Sequence, residues 1–300
     1  MDNSSKYYNV EDLIIQNNFD IAKIKNNTQK WFYSLRYEII KMIENIEKDY
    51  QSEHKYDKNT KFEIQKWDRE GGGGGEIGLL YGTVFEKMGV NVSTVYGNLN
   101  TELAKQLPSG MAKDFWASGI SIVSHPKNPF IPPIHMNTRC IITTNSIWFG
   151  GGIDLNPIIK DENETILFHK KLEQICDKHN VNYYNKFSKW CDEYFFIKHR
   201  NELRGVGGIF FDYLLDEKNP EKTMEFIKDI GVLFMNIYNE IVLNKIKIKW
   251  TDADREYQLI RRGRYAEFNL IYDRGIKFGL MTGGNTDGMM MSLPPLVKWK

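Results

Sequence analysis

The side chains best suited to chemistry lie within residues 119–157. Side chains alternate between the two faces of a β-strand, so residues two apart share a face. An imidazole can act as a general acid or a metal ligand, and a guanidinium fork matches a carboxylate. The stretch therefore predicts a ligand site on a sheet. Two neighbouring strands would present a hydroxyl, two imidazoles, an amide and a guanidinium, from Ser121, His125, His135, Asn137 and Arg139.

A lone carboxylate, Asp154, follows Gly150, Gly151 and Gly152 towards the end of the next predicted strand. Glycines allow a backbone to approach a ligand closely. The carboxylate could equally close an Asx turn or cap a helix, and Arg139 could form a structural salt bridge. Alone, these residues favour a pocket for an anionic, partly aromatic small molecule and do not identify it.

The charge balance limits the classes of partner. The 300 residues include 40 basic and 39 acidic side chains, a formal charge of +1. No global field would attract nucleic acid, so anion recognition has to be local. No apolar run approaches the ~20 residues of a membrane span, and the first residues do not resemble a targeting segment. We expect a cytoplasmic protein.

The three cysteines, Cys140, Cys176 and Cys191, show no CxxC spacing and predict buried free thiols. Gly73, Gly75 and Gly78 fit G-x-G-x-x-G, but no hydrophobic strand precedes them and no helix follows. The glycine run therefore predicts a flexible linker, or a mobile flap whose N–H groups approach an anionic ligand. No HExxH motif supports a metal from spacing alone.

Periodicity predicts an α+β fold, with a large, mostly antiparallel sheet flanked by helices on both faces. We expect one domain over residues 28–300, preceded by a polar arm over residues 1–27. Helices are predicted at 28–53, 101–117, 162–179, 184–201 and 220–245. Besides the hairpin, strands are predicted at 83–86, 89–96, 205–212 and 265–272, and in the Met-rich stretch that ends the run 278–292.

Six segments make the sequence resemble a known family: residues 121–139, 148–157, 189–195, 199–205, 261–280 and 282–295. Their motifs include WFGGGIDLNP at 148–157 and KWCDEYF at 189–195. Over roughly residue 67 to the C-terminus, they are similar to the oxygen-dependent coproporphyrinogen III oxidases. The resemblance implies oxidative decarboxylation of two propionates of coproporphyrinogen III to vinyl groups. The expected products are protoporphyrinogen IX, CO2 and hydrogen peroxide.

The resemblance also implies residue roles. His135 matches the proton donor, Ser121 a substrate contact, and Arg139 a propionate partner. Asp154 is expected to accept hydrogen bonds from pyrrole N–H groups. Two triplets match substrate-binding segments, Asn137, Thr138 and Arg139 in one and Gly283, Gly284 and Asn285 in the other.

The implied co-substrate is O2, with no organic cofactor. The implied partner is a second copy of the chain, joined through the segment from about Tyr265. The resemblance adds a divalent metal cation as an optional cofactor, on His125, His135, His169 and His199.

Some positions depart from the family pattern. Asn285 stands where arginine is usual, Asn156 replaces threonine, and Gly288 replaces serine. We also expect relatives to continue for some tens of residues beyond Lys300. Two alternatives follow from these departures and from the histidines: a catalytically weakened porphyrin-binding homologue, or a His-ligated metal oxygenase acting on another aromatic acid.

Overall fold

The computed structural model describes residues 19–55, 59–98, 114–144, 146–216, 218–281 and 285–300. The strands in these ranges are β1 (Glu63–Asp68), β2 (Gly73–Leu80), β3 (Phe85–Asn98), β4 (Asp114–Pro126), β5 (Ile134–Thr143), β6 (Ile147–Leu155), β7 (Phe196–Ile197), β8 (Glu202–Leu203) and β9 (Gly208–Leu214). Seven of these described strands form one antiparallel sheet in the order β1-β2-β3-β4-β5-β6-β9. Strands β7 and β8 pair separately.

The helices in the same ranges are α1 (Ile21–Glu53), α2 (Glu162–His179), α3 (Tyr183–Tyr194), α4 (Pro220–Lys245), α5 (Asp252–Ile271), α6 (Arg274–Met281) and α7 (Thr286–Met290). A single 3-10 turn covers Lys198–Arg200. The predicted start of α4 is confirmed, because Asn219 caps it and Pro220 occupies its first turn.

One face of the sheet, the core face, carries the main hydrophobic core. Helix α1 buries Phe32, Leu35, Ile39 and Ile43 and lies against β3, β4 and α4. Each fully buried side chain of this size contributes about 1.5–3 kcal/mol. The three cysteines are buried and free, as predicted.

The opposite face, which we call the glycine face, carries the predicted ligand residues. Its directly paired positions form three rows across the central strands, and five of their members are glycines. The first row is Gly89, Val123, His135, Asp154 and Gly208; the second is Asn91, Ser121, Asn137, Gly152 and Phe210; the third is Ser93, Gly119, Arg139 and Gly150.

The C-terminal segment covers one end of the glycine face. Met291 lies directly on Gly89, where a Cβ would stand 2.2 Å from its sulfur. Lys87 donates a hydrogen bond to the Leu293 carbonyl at 2.8 Å, and His125 pairs with the Ser292 carbonyl at 2.9 Å. Helix α7 lies on this face too, because Asn91 donates a hydrogen bond to its Gly288 carbonyl at 3.0 Å. Helices therefore lie on both faces of the sheet, and the predicted α+β class is confirmed.

Two predictions in the first third of the chain are wrong. Helix α1 begins at Ile21, because the Asp20 side chain accepts from the Lys23 N–H, while Thr28 lies buried inside it. The glycine run is not a linker or a flap, since Gly73, Gly74 and Gly75 belong to β2. At Gly74 and Gly75, a Cβ would stand 2.2 and 2.4 Å from carbonyl oxygens of the neighbouring strands.

Strand β3 is one continuous strand rather than two, and β4 already begins at Asp114, where a helix was predicted. The remainder of that predicted helix, residues 101–113, lies outside the described residues. Helix α3 ends at Tyr194, short of the predicted 201.

The two predicted C-terminal strands fall on helices α5 and α7, and helix α6 lies between them in the chain. Alternation of Ala266, Phe268 and Leu270 suggested a strand, but Leu270 is exposed and Tyr265 is buried beside Ala266. Helix α5 begins with a capping box, in which Thr251 and Asp254 bond each other's backbone N–H. Among the helices in the described ranges, none is both long and apolar enough to cross a membrane.

Candidate active site

Asp154 is the centre of a buried polar cluster at the β6 edge of the first row. Its Oδ2 accepts hydrogen bonds from Arg204 at 2.7 Å and from Asn156 at 2.8 Å. Its Oδ1 lies 3.5 Å from His135 Nδ1, and the residue is 4% exposed. Burial acts to raise its pKa, but the charge of Arg204 outweighs burial and lowers the pKa to about 2. Asp154 is therefore a stable buried anion.

Arg204 joins three parts of this cluster. It follows β8, and its two terminal nitrogens bond Asp154, His135 and Asn269 at 2.7, 2.9 and 3.0 Å. Its guanidinium stacks over Phe195 at 3.8 Å and over Phe268 at 4.7 Å. The planar ion thus fits between aromatic rings while its edges bond oxygen and nitrogen atoms. Because a guanidinium can only donate hydrogen bonds, each atom that Arg204 contacts in this way must be a hydrogen-bond acceptor.

His135 is engaged at both ring nitrogens. Arg204 donates to Nδ1, so in this arrangement Nε2 carries the imidazole proton. Nε2 lies 2.5 Å from the hydroxyl of Tyr265, which comes from α5. The side chain is 19% exposed, so the imidazole links the buried cluster to the glycine face. Its predicted role as a proton donor stays a prediction.

Arg139 forms the second arginine pair of the glycine face. Its Nη2 lies 2.6 Å from Oδ2 of Asp212, a β9 residue. The two side chains are 33% and 15% exposed, far more than Arg204 and Asp154. Gly150 lies between them, and a Cβ there would stand 2.4 Å from Asp212 Oδ1. The predicted propionate partner is thus already paired with a carboxylate of the chain.

The other predicted substrate residues do not all lie on the glycine face. Ser121 and Asn137 pair directly on the glycine face, as the alternation predicts. Thr138 lies on the core face and is 0% exposed, so its side chain cannot reach a ligand on the glycine face. The Asn285 side chain caps α7 by accepting from the Gly288 N–H at 2.9 Å. Gly283 and Gly284 lie outside the described residues.

The four histidines that the resemblance assigned to a metal do not converge. His169 bonds the Tyr184 hydroxyl and the Val206 carbonyl, both at 2.9 Å. His199 bonds Tyr272 at 2.8 Å and Glu267 at 2.7 Å. Within the part of the chain that the structure describes, no group of three or more His, Cys, Asp or Glu side chains could hold a metal ion. The residues present do not fit the implied metal site.

His125 has a structural setting instead. It is 1% exposed and pairs with the Ser292 carbonyl through Nε2. Burial and Arg262 lower its pKa well below the ordinary value. The imidazole helps to hold the C-terminal segment on the sheet.

Sequence reasoning missed Arg204, Tyr265 and Asp212 as site residues. Arg204 lay within a segment that carried the family resemblance, but no local spacing marked it. Tyr265 belonged to the predicted strand that is α5, and Asp212 to a strand predicted as core. The signal available was residue type, since Asp212 is the acidic residue of an otherwise apolar and aromatic run.

Fold and site together define a class of protein, in which one large antiparallel sheet carries a glycine-lined face that ends in a buried Asp–Arg–His cluster. The family model described as Coproporphyrinogen III oxidase matches residues 27–300. The chain therefore belongs to the coproporphyrinogen III oxidase family.

Curated relatives agree with this assignment. A protein of Rickettsia rickettsii (strain Sheila Smith), named oxygen-dependent coproporphyrinogen-III oxidase, is 51% identical over 276 residues, 92% of this chain and 98% of its own length. A protein of the same name from Rickettsia bellii (strain OSU 85-389) is 50% identical over 278 residues and 99% of its own length. Since almost all of each relative is matched, the long C-terminal extension expected of relatives is not found in these two.

Proposed function

We propose that this chain is an oxygen-dependent coproporphyrinogen III oxidase, an oxidoreductase of heme biosynthesis. It removes two propionate carboxyl groups as CO2, leaves vinyl groups, and forms protoporphyrinogen IX and hydrogen peroxide. Each decarboxylation breaks the C–C bond to the carboxylate and one C–H bond of the other methylene carbon, and it passes two electrons to O2. The proton from that C–H bond and one further proton from the surroundings end on the reduced O2, as hydrogen peroxide. The porphyrinogen is itself the reductant, so the chemistry requires no organic redox cofactor.

One observation carries the proposal: the glycine face leads into the buried cluster of Asp154, Arg204 and His135. Gly152 in the second row and Gly119 in the third present no side chain on this face, which suits a flat macrocycle lying over the central strands. The ionised Asp154 is suited to accept pyrrole N–H bonds and to stabilise positive charge as electrons leave the ring. Among the described residues, the polar contact of its Oδ1 is the long one to His135, at 3.5 Å, so this is the oxygen available for the role.

Polar side chains on the other two rows are suited to the periphery of the macrocycle. Asn137 is exposed, Ser121 is half-buried, and Arg139 provides the cation for a propionate. Local recognition of this kind fits a chain whose formal charge is +1. We assign no step to a metal, because the four histidines have separate partners.

The direct test is turnover of coproporphyrinogen III by purified protein, with and without O2. We expect O2 uptake and protoporphyrinogen formation in air and no product under argon. Porphyrin binding without O2 uptake would instead favour the weakened homologue, which relatives 51% identical over 98% of their length do not favour. Full dependence on a stoichiometric metal would favour the metal oxygenase.

We also propose a homodimer formed through the segment from Tyr265, and a cytoplasmic location. Support for the dimer comes from large apolar side chains that this segment exposes: Leu270, Ile271, Leu280, Leu296 and Trp299. Such a group is typical of an interaction surface. Light scattering after size exclusion is expected to give twice the chain mass of 35.2 kDa, and a single-chain mass would contradict the dimer.

A further inference from the structure

The third row of the glycine face leaves a groove for one guanidinium. Arg139 pairs with Gly119 on one side and Gly150 on the other. Its side chain reaches past Gly150 to Asp212 on the next strand, where Nη2 and Oδ2 are 2.6 Å apart. A Cβ at Gly150 would stand 3.2 Å from Arg139 Nε as well as 2.4 Å from Asp212 Oδ1. The absence of a side chain at this position is what allows the ion pair to form across three strands.

Asp212 is itself held in place. Its Oδ1 accepts the N–H of the next residue, Tyr213, at 3.1 Å. Tyr213 has a φ of 54°, in the left-handed region that costs a residue other than glycine of order 1 kcal/mol or more. The β6–β9 register shifts by one residue at the same point, between Phe149 and Gly151. Strain and irregular pairing thus coincide where the carboxylate is aimed at Arg139.

The pair leaves part of the guanidinium available. Among the described residues, Asp212 is the hydrogen-bond partner of Arg139, and it engages Nη2 alone. The buried Nε has no partner in the same ranges, and a third of the side chain is exposed, at 33%. A second carboxylate can therefore bond Arg139 while Asp212 stays in place.

We propose that Asp212 is a positioning residue, which holds the Arg139 guanidinium over Gly150 so that its unpaired Nη1 meets one propionate of the substrate. This inference rests on the proposed function and adds a residue to it. Without Asp212, the guanidinium can leave the groove, and the propionate is bound in a less defined position. A misplacement of about 1 Å at such a contact can lower turnover by as much as ~100-fold.

The test is a double-mutant cycle with Asp212→Ala, Arg139→Ala and the double variant. We expect each single change to lower kcat/KM by about 10-fold or more, because a hydrogen bond between charged groups is lost. The double variant is expected to be no worse than Arg139→Ala, within about twofold, since residues acting through one contact are not additive. Effects that multiply, or an Asp212→Ala variant within twofold of the native chain, would overturn the proposal.

Two further variants serve as a control and as a substitute for Asp212→Ala. Asp229→Ala removes another paired aspartate, bonded to Lys178 and His179 at 2.7 and 2.6 Å and remote from the glycine face, and is expected to leave kcat/KM unchanged. If Asp212→Ala does not fold, Asp212→Asn keeps the shape and an acceptor for the Tyr213 N–H, while its amide can turn a donor towards Arg139. It is expected to lower kcat/KM to the same extent, and native kcat/KM in this variant would overturn the proposal.

Binding of coproporphyrin III, the stable oxidised form of the substrate, separates the two claims. Fluorescence quenching measures it without turnover, and the same coupling between positions 212 and 139 is expected in the dissociation constants. If the native chain binds this porphyrin but does not turn over coproporphyrinogen III, the proposed function fails, while the cycle on dissociation constants still decides the role of Asp212.

Discussion

Two Arg–Asp ion pairs on one face of the sheet have nearly the same N···O distance, but one pair is buried and the other is partly exposed to solvent. Arg204 and Asp154 lie 2.7 Å apart with side chains 0% and 5% exposed, and Arg139 and Asp212 lie 2.6 Å apart with side chains 33% and 15% exposed. Water screens the second pair and hardly reaches the first. Breaking a buried pair leaves an uncompensated charge, whereas an exposed pair contributes little to stability.

The two pairs differ in what they contribute to the protein. The buried pair fixes an ionised carboxylate beside His135 and holds the β6, β8 and α5 regions together. The exposed pair costs little to rearrange and is placed to meet a ligand. Burial, rather than bond length, decides which pair contributes more to stability, and the more exposed pair is the one that we propose to meet a propionate.

The largest effect is expected from Arg204→Met. The change leaves Asp154 buried without its cation, so the free energy of unfolding should fall by about 3–5 kcal/mol. Urea unfolding followed by circular dichroism measures this. Arg139→Met is the matched control, with an expected loss of no more than about 1 kcal/mol. Equal losses in the two variants would break the comparison.

Asp154→Asn tests the chemical side of the buried pair. Its shape is preserved, but the anion is lost, so kcat should fall by about 100-fold or more if the carboxylate stabilises charge on the macrocycle. Arg204 then stays buried with a neutral partner, and some stability is lost as well. Coproporphyrin III binding and circular dichroism separate loss of chemistry from loss of fold. A rate near that of the native chain would remove Asp154 from the mechanism.

Much of this site could be predicted from sequence because it lies on adjacent hairpin strands. Alternation correctly placed His135 and Arg139 on one face, and the register brings Asp154 opposite His135. Arg204 and Tyr265 come from distant parts of the chain, and only the tertiary fold brings them to the imidazole. No local pattern records such a contact.

The C-terminal helices were mistaken for strands for a specific reason. Helix α5 buries polar side chains, Gln258, Arg262 and Asn269, alongside its aromatic ones. A search for apolar periodicity does not count these polar side chains as buried. The remaining apolar residues of the helix then appeared to alternate with a period of two, as in a strand. The glycine run was predicted as a linker or a flap, but it is part of a strand. Its backbone lies so close to the neighbouring strands that side chains there would collide with them. Thr251 and Asp254 were the available helix signal.

Gly150→Ala should disturb the exposed pair and leave the buried pair intact. The added methyl group collides with Asp212 and Arg139, so the affinity for coproporphyrin III should fall by about 10-fold. The cost in stability is expected to be about 1–3 kcal/mol, as for other small-to-large changes. Gly275→Ala is the control, because among the described atoms a Cβ there would meet Asp273 Oδ1, at 3.1 Å, and neither member of the exposed pair. Native affinity in Gly150→Ala would show that Arg139 does not need its groove.

The smallest effect concerns a third carboxylate, Glu267 on α5, and its dependence on pH. The hydrogen bond from Arg200 lowers its pKa, helped by bonds from His199 and Trp299 and opposed by burial, from 4.5 to about 2. A carboxylate whose pKa is lowered in the folded state contributes stability above its unfolded pKa and loses it as pH falls towards the folded value.

The advantage of the native chain over Glu267→Gln should therefore be full above pH 4.5 and shrink as the pH falls from there towards about 2. Urea unfolding of both chains over this interval is the measurement. A difference between the chains that does not change with pH would contradict the assignment.

We propose that the oxygen-dependent decarboxylation of coproporphyrinogen III takes place on the glycine face. The most direct measurement is O2 uptake together with chromatographic analysis of the porphyrin products, in air and under argon, for the native chain and Asp154→Asn. We expect one O2 consumed for each propionate lost by the native chain in air, no product under argon, and about 100-fold slower turnover in the variant. Product formed under argon, or O2 uptake that does not depend on Asp154, would contradict it.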